Sequence, residues 1–159
     1  RSTLNATRRQ RQMCIRDRDP LIPEHSEAWN EGIQVADFVN IVGVDDPAAK
    51  RFGIDTNVPE SEILGRFSND KLTILLKHRP LVGEESKDLF DLQLSGHLHK
   101  GQIFPFSLIT SLLFPYHDGL FKLKAHSYLY VSRGTGTWGP PARFLSRPEI
   151  TVIEFQRTN

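Results

Sequence analysis

Hydrophobic residues in this chain fall into short runs separated by polar breaks marked with Gly and Pro. Val39 to Val44 is largely β-branched and closes on Asp45-Asp46-Pro47, which predicts a buried strand feeding a turn. "KLTILLKHRP" predicts a second apolar strand ended by Pro80, and "LQLSGHLH" a third, short one. Between these runs, "VPESEILGRF" has helical spacing with Pro59 or Ser61 near its start, and "GEESKDLFD" has helix character. Upstream, "PEHSEAWNEGIQV" reads as a short helix ended by Gly32. Later, Phe121, Leu123 and Ala125 alternate with Lys122 and Lys124, while Tyr128 and Tyr130 share a face, which predicts a hairpin. A Gly-rich loop, "RGTGTWGPPARF", then leads to "EITVIEFQ", whose alternation predicts a last strand. Strands alternating with helices, followed by strands in succession, define an α/β class with a mixed sheet or two packed sheets.

Length changes this picture little, since 159 residues at 38% hydrophobic suit one domain with a sizeable core. The lone Cys14 excludes an internal disulfide and a Cys-rich zinc site. The longest apolar run, Ile103 to Tyr116, is broken by Pro105 and Pro115 and falls short of the ~18–20 residues a spanning helix needs. Two placements fit it: burial over the core, which is the preferred expectation, or an exposed patch making peripheral membrane contact.

Charge is unevenly split. Residues 1–18 hold six arginines against Asp17, a local +5, so a total of +1 leaves −4 on residues 19–159. A basic arm of this kind suits nucleic acid or simple solvation. The string "RRQRQMCIRDR", however, has no helical or strand periodicity and looks like translated sequencing-adapter read-through. Residues 1–18 are therefore expected to be a non-native or disordered tail, and no nucleic-acid partner is expected.

The candidate chemistry lies in "SGHLHKGQ", where His97 and His99 are two apart between Gly96 and Gly101. On extended backbone, residues at that spacing point the same way, so both imidazoles can face one pocket while Leu98 faces the core. Imidazole is the commonest metal ligand. On spacing alone, a pair of exposed turn histidines is an equal reading. His78 ends a separate strand, and in α/β sheets ligands gather at the carboxyl ends of strands, so three histidines from two strands can converge. His25, His117 and His126 have no partner pattern and read as ordinary surface or core residues. The Gly-rich loop lacks the Gly-Lys-Ser/Thr of a P-loop and reads first as a turn between strands.

Taken together, "LTILLKHRP", "LQLSGHLHKGQI", "GVDDP" and "YVSRGTGTWGPPARFLSRPEIT" resemble the C-terminal half of a calcineurin-like metallophosphoesterase, of a bacterial branch that also resembles transmembrane proteins carrying this domain. The resemblance implies an αββα fold of two packed mixed β-sheets flanked by helices, incomplete here, with residues 19–159 as the C-terminal part of the domain. It implies that His78 and His97 ligate one metal of a dinuclear centre and His99 the other, with two divalent ions such as Mn, Fe or Zn. Arg133 or Arg143 would contact the substrate phosphate from the Gly-rich loop.

Three of the family's motifs are missing from this sequence: Asp-x-His, Gly-Asp-x-x-Asp and Gly-Asn-His-Asp/Glu. Asp45-Asp46 matches a downstream turn of the family and not a ligand motif. Lys77 and Arg79 flank His78, and Lys100 stands where the family commonly has glycine; such charge either disfavours a divalent metal or favours phosphate. The expectation is thus a metal-dependent hydrolase of phosphate mono- or diesters in a longer parent protein, cytoplasmic or membrane-associated. This chain alone would be inactive and hold at most one metal. The alternative is a non-catalytic remnant, or a membrane- or partner-binding module retaining at most one metal.

Overall fold

The computed structural model describes residues 31–35, 37–52, 58–67, 70–124, 126–139 and 141–156. The basic tail, His25 and the part of the expected first helix before Glu31 lie outside these residues. Six strands form one mixed sheet: β1 (Glu31–Val35), β2 (Val39–Gly43), β3 (Leu72–Leu76), β4 (Leu92–Ser95), β5 (Gly119–Lys122) and β6 (Tyr128–Val131). Their order is β1-β2-β3-β4-β6-β5. The inner strands β2, β3, β4 and β6 run parallel, and both edge strands pair antiparallel.

Two short helices are described, α1 (Glu60–Leu64) and α2 (Phe106–Leu113), with 3-10 turns at Pro47–Phe52, Glu84–Ser86 and His99–Gly101. Parallel neighbours need a crossover, and α1 lies in the connection from β2 to β3. Val42 pairs with Leu75, Leu75 with Gln93 and Gln93 with Leu129, so one row of side chains crosses the sheet on a single face. On that face Val42, Val44 and Leu75 pack with Ile63 and Leu64 of α1 and with Phe90, all under 9% exposed. Gly32 of β1 lets the Phe67 ring lie where a side chain would stand.

The opposite face carries a second apolar row, Ile33–Ile41–Ile74–Leu92–Tyr128, in continuous register across five strands. Ile33 and Tyr128 keep 39% and 37% exposure, and Leu120 in the next row keeps 63%. An α/β mixed sheet is as the hydrophobic pattern predicts. The described residues build one layer of the expected two-sheet sandwich, with an apolar face of the kind a second sheet packs against.

Three local expectations are corrected. Residues 31–35 are strand and not the end of a helix, because β-branched Ile33 and Val35 alternate with Gly32 and Gln34 and pair in register with β2. "EITVIEFQ" is not a strand. The neighbouring β6 is already flanked by β4 and β5, so no edge is free beside it. Glu149 and Thr151 instead bond the Tyr130 hydroxyl, leaving Ile150 and Val152 80% and 89% exposed. The apolar run 103–116 is not buried either: α2 packs against the His99–Gly101 turn, but none of its residues is buried and Leu112 is 86% exposed. Among the described residues no helix is long and apolar enough to cross a membrane.

Candidate metal centre

Because β3 and β4 are parallel and Leu76 pairs with Leu94, both strands deliver their carboxyl ends to one edge of the sheet. The ladder continues one step further, with the Gly96 N–H donating to the His78 carbonyl at 3.0 Å. His78 and His97 are therefore set side by side: His97 Nδ1 lies 2.8 Å from His78 Nε2, and the rings meet edge to face with centroids 4.7 Å apart.

That spacing bears on metal binding. Two nitrogens each ~2.0–2.1 Å from one ion and at right angles are about 2.9 Å apart. The separation is of that size, and in the structure the two nitrogens face each other in a hydrogen bond, so a shared ion would need the rings to turn. Among the described residues no group of three or more His, Cys, Asp or Glu is gathered closely enough to hold a metal. Of the three expected ligands the structure brings His78 and His97 together.

His99 goes elsewhere. The H-x-H stretch is not extended here: His97, His99, Lys100, Gly101 and Gln102 all have positive φ, between 44° and 71°. A left-handed conformation costs a non-glycine residue about 1–2 kcal/mol, so it persists only where the surroundings over-determine it. The bonds that do so are specific. Ser146 Oγ donates to the His99 carbonyl at 2.6 Å, and the Gln102 amide spans both backbone groups of Trp138, at 2.8 Å and 2.5 Å. Backbone bonds between Gln102 and Phe144 and between Phe104 and Phe144 complete the seam, so the Gly-rich loop is clamped onto the histidine turn.

In this turn His99 Nδ1 lies 3.1 Å from the Arg133 carbonyl and 3.0 Å from Arg143 Nη2. Nη2 has two protons, and the carbonyls of Gly136 and Arg133 take them. The tautomer that fits has Nδ1–H donating to Arg133, which leaves the lone pair on Nε2. Arg143 also bonds the Ser146 carbonyl, at 3.4 Å. Burial lowers its pKa from the ordinary guanidinium value. Arg133 is engaged by two carboxylates, Asp118 at 2.7 Å and Glu149 at 3.1 Å. Both arginines suggested for substrate stand beside His99, each holding protein groups.

The cations around His78 are balanced. Lys77 pairs with Glu60, their side chains 17% and 14% exposed, and Arg79 Nε bonds Asp46 at 2.9 Å. Asp46 in turn is fixed by the Ala48 N–H at 2.8 Å. Each cation thus has a carboxylate partner beside the histidine pair.

His97 is pushed down to about 4 by desolvation first, then by His78 and Arg79, with Asp46 opposing. At neutral pH its ring is uncharged. The folded value lies below the ordinary 6.5, so the unfolded chain binds more protons between the two. Stability attributable to this group is complete above pH 6.5 and is lost as pH falls towards 4. The residue is exposed on one side, and screening limits the effect to on the order of 1 kcal/mol. Urea unfolding at about pH 7.5 and about pH 4.5 should show His97→Asn losing less on acidification than the native chain; equal losses would refute the assignment.

Asp118, Gln102, Ser146, Glu149 and Glu60 were not singled out from sequence. Gln102 carried one signal, its place directly after the histidine motif. The others gave none, because their partners are distant in the chain.

With this geometry in view, the similarities are informative. The chain is 39% identical over 124 residues to an uncharacterized metallophosphoesterase of Aquifex aeolicus, covering 77% of the chain and 48% of that protein. It is 40% identical over 124 residues to one of Helicobacter pylori strain J99, covering 76% and 33%. A transmembrane protein with metallophosphoesterase domain from Bos taurus is 38% identical over 124 residues, covering 76% and 28%. No family model and no solved structure matches. The chain folds as a mixed α/β sheet that sets two histidines side by side at the carboxyl ends of adjacent strands. By its relatives the chain belongs to the metallophosphoesterases, resembling the C-terminal half of that domain. It spans about half or less of the length of these relatives. Membership implies divalent metal cofactors.

Proposed function

We propose that the protein to which this chain belongs hydrolyses phosphate mono- or diesters at a dinuclear metal centre, with His78 and His97 on one ion and His99 on the other. The observation that carries this reading is the 2.8 Å approach of two ring nitrogens, one neutral at working pH, at the shared end of β3 and β4. The ions, when bound, supply Lewis acidity and an activated water. The chain's own residues do the rest described here. His97 presents an uncharged lone pair because desolvation and neighbouring positive charge disfavour its protonation. The Arg133 carbonyl holds His99 Nδ1–H and so aims Nε2. Arg143 stands within reach of the same ring and is the nearer of the two arginines to any phosphate held there.

The three histidines supply no anionic ligand, and in this reading a bridging carboxylate comes from elsewhere in the protein. The second reading, a module that keeps at most one metal, is favoured by one observation: among the described residues no set of three ligands converges. The two separate by experiment. The coding sequence upstream, if it adds the Asp-x-His, Gly-Asp-x-x-Asp and Gly-Asn-His motifs in frame, should yield a protein with Mn²⁺-dependent turnover of p-nitrophenyl phosphate or its phenyl diester. His97→Ala should abolish that turnover, and the 159-residue chain alone should show little or none. Turnover by the short chain that His97→Ala removes would overturn the need for the carboxylate half. An extended protein bearing the motifs yet inactive with both ester types would favour the binding module.

A further inference from the structure

Residues 99 and 133 are connected twice. The ring of His99 meets the backbone carbonyl of Arg133 at 3.1 Å. Independently, the side chain of Arg133 bonds Asp118 Oδ1 at 2.7 Å, and Asp118 Oδ2 bonds the ammonium of Lys100 at 2.7 Å, the residue that follows His99. A closed ring of contacts results, His99–Lys100–Asp118–Arg133–His99, with one carboxylate at its hub. Asp118 is buried to 13% side-chain exposure, and both of its oxygens are used. Burial alone would raise its pKa, but the hydrogen bonds from Lys100 and Arg133 outweigh it and hold the group below the usual carboxylate range.

The hub acts on a strained element. Lys100 has φ +53°, a conformation that glycine adopts freely and lysine does not. Its ion pair with Asp118 is the contact that fixes its side chain there. From the other side, Asp118 fixes the Arg133 side chain and with it the carbonyl that selects the His99 tautomer. Glu149 reinforces the arginine at 3.1 Å, and its carboxylate otherwise bonds Tyr130 and Thr151.

We propose that Asp118 is a positioning residue for His99: through Lys100 and Arg133 it holds the imidazole as the Nδ1–H tautomer. The inference rests on the proposed role of His99 as a ligand, but its test does not require metal or substrate. The 159-residue chain, labelled with ¹⁵N-histidine and stripped with EDTA, is read at about pH 8 by long-range ¹H–¹⁵N correlation, which distinguishes the tautomers. His99 should be predominantly Nδ1–H. Asp118→Asn should shift its tautomer ratio about fivefold towards Nε2–H, the change expected for losing the net worth of one hydrogen bond. The signals of His78 and His97 should stay in place.

Lys100→Met, which removes one arm only, should shift the same ratio in the same direction by less, and it decides the matter if Asp118→Asn does not fold. An unchanged His99 ratio in the folded variants overturns the proposal. So does an equal movement of all three histidines, since that reports a general loosening. Absence of phosphoesterase activity in the extended protein would count against the proposed reaction and leave this result standing.

Discussion

Replacing Gly101 by alanine should cost about 3–5 kcal/mol of folding stability and dismantle the histidine turn, because the two penalties at this position act together. Gly101 has φ +71°, and a Cβ there would press on the Cα of Ser107, 2.6 Å from its nitrogen and 2.9 Å from the Phe106 carbonyl carbon. All of these neighbours are backbone at the start of α2, so no side chain can swing aside. Relief requires α2 to move off the turn, which breaks the seam that the following residue, Gln102, makes with Trp138 and Phe144. Gly119, at φ +92° with open space around its α carbon, is the control: alanine there meets only the left-handed penalty of about 1–2 kcal/mol. Urea denaturation of both variants should show Gly101→Ala losing clearly more than Gly119→Ala. Similar losses would mean that the packing of α2 on the turn contributes nothing.

How much of this site was legible beforehand depends on the range of each interaction. Convergence of His78 with His97 followed from reading two apolar runs as strands, since parallel neighbours end at one edge whatever their connections. The divergence of His99 was not legible, because the periodicity of an extended chain was applied to a stretch whose backbone turns left-handed at four non-glycine residues. Distant contacts from Ser146, Trp138, Phe144, Arg133 and Asp118 make that turn tolerable. The fold shows the same division. Long apolar strands were read correctly, whereas β1 rests on two β-branched residues and a partner strand. The C-terminal "EITVIEFQ" has the alternation of a strand, but the sheet has no edge beside β6 to receive it.

The charges beside His78 show why pairing has to be seen in three dimensions, and they carry the second large effect. Lys77→Met should destabilise the chain by about 3–5 kcal/mol. In sequence Lys77 and Arg79 only add positive potential around a ligand. In the fold their partners lie 17 and 33 positions away, Glu60 at the start of α1 and Asp46 in the turn after β2. The Lys77–Glu60 pair is largely withdrawn from water, and Glu60 Oε1 already lacks a hydrogen-bond partner. Deleting the ammonium leaves a mostly buried carboxylate with no counter-charge, and the loss reflects that uncompensated charge more than the worth of the pair. The companion variant tests this explanation: Lys77→Met with Glu60→Leu removes both charges and should recover most of the loss, since an apolar pair of similar volume is about as stable as a buried ion pair. Urea unfolding of the single and double variants measures the difference. A double variant no better than Lys77→Met would show that the lysine matters for packing its methylenes against α1. Recovery of stability would establish that the Lys77 charge beside the histidine pair is already cancelled by Glu60.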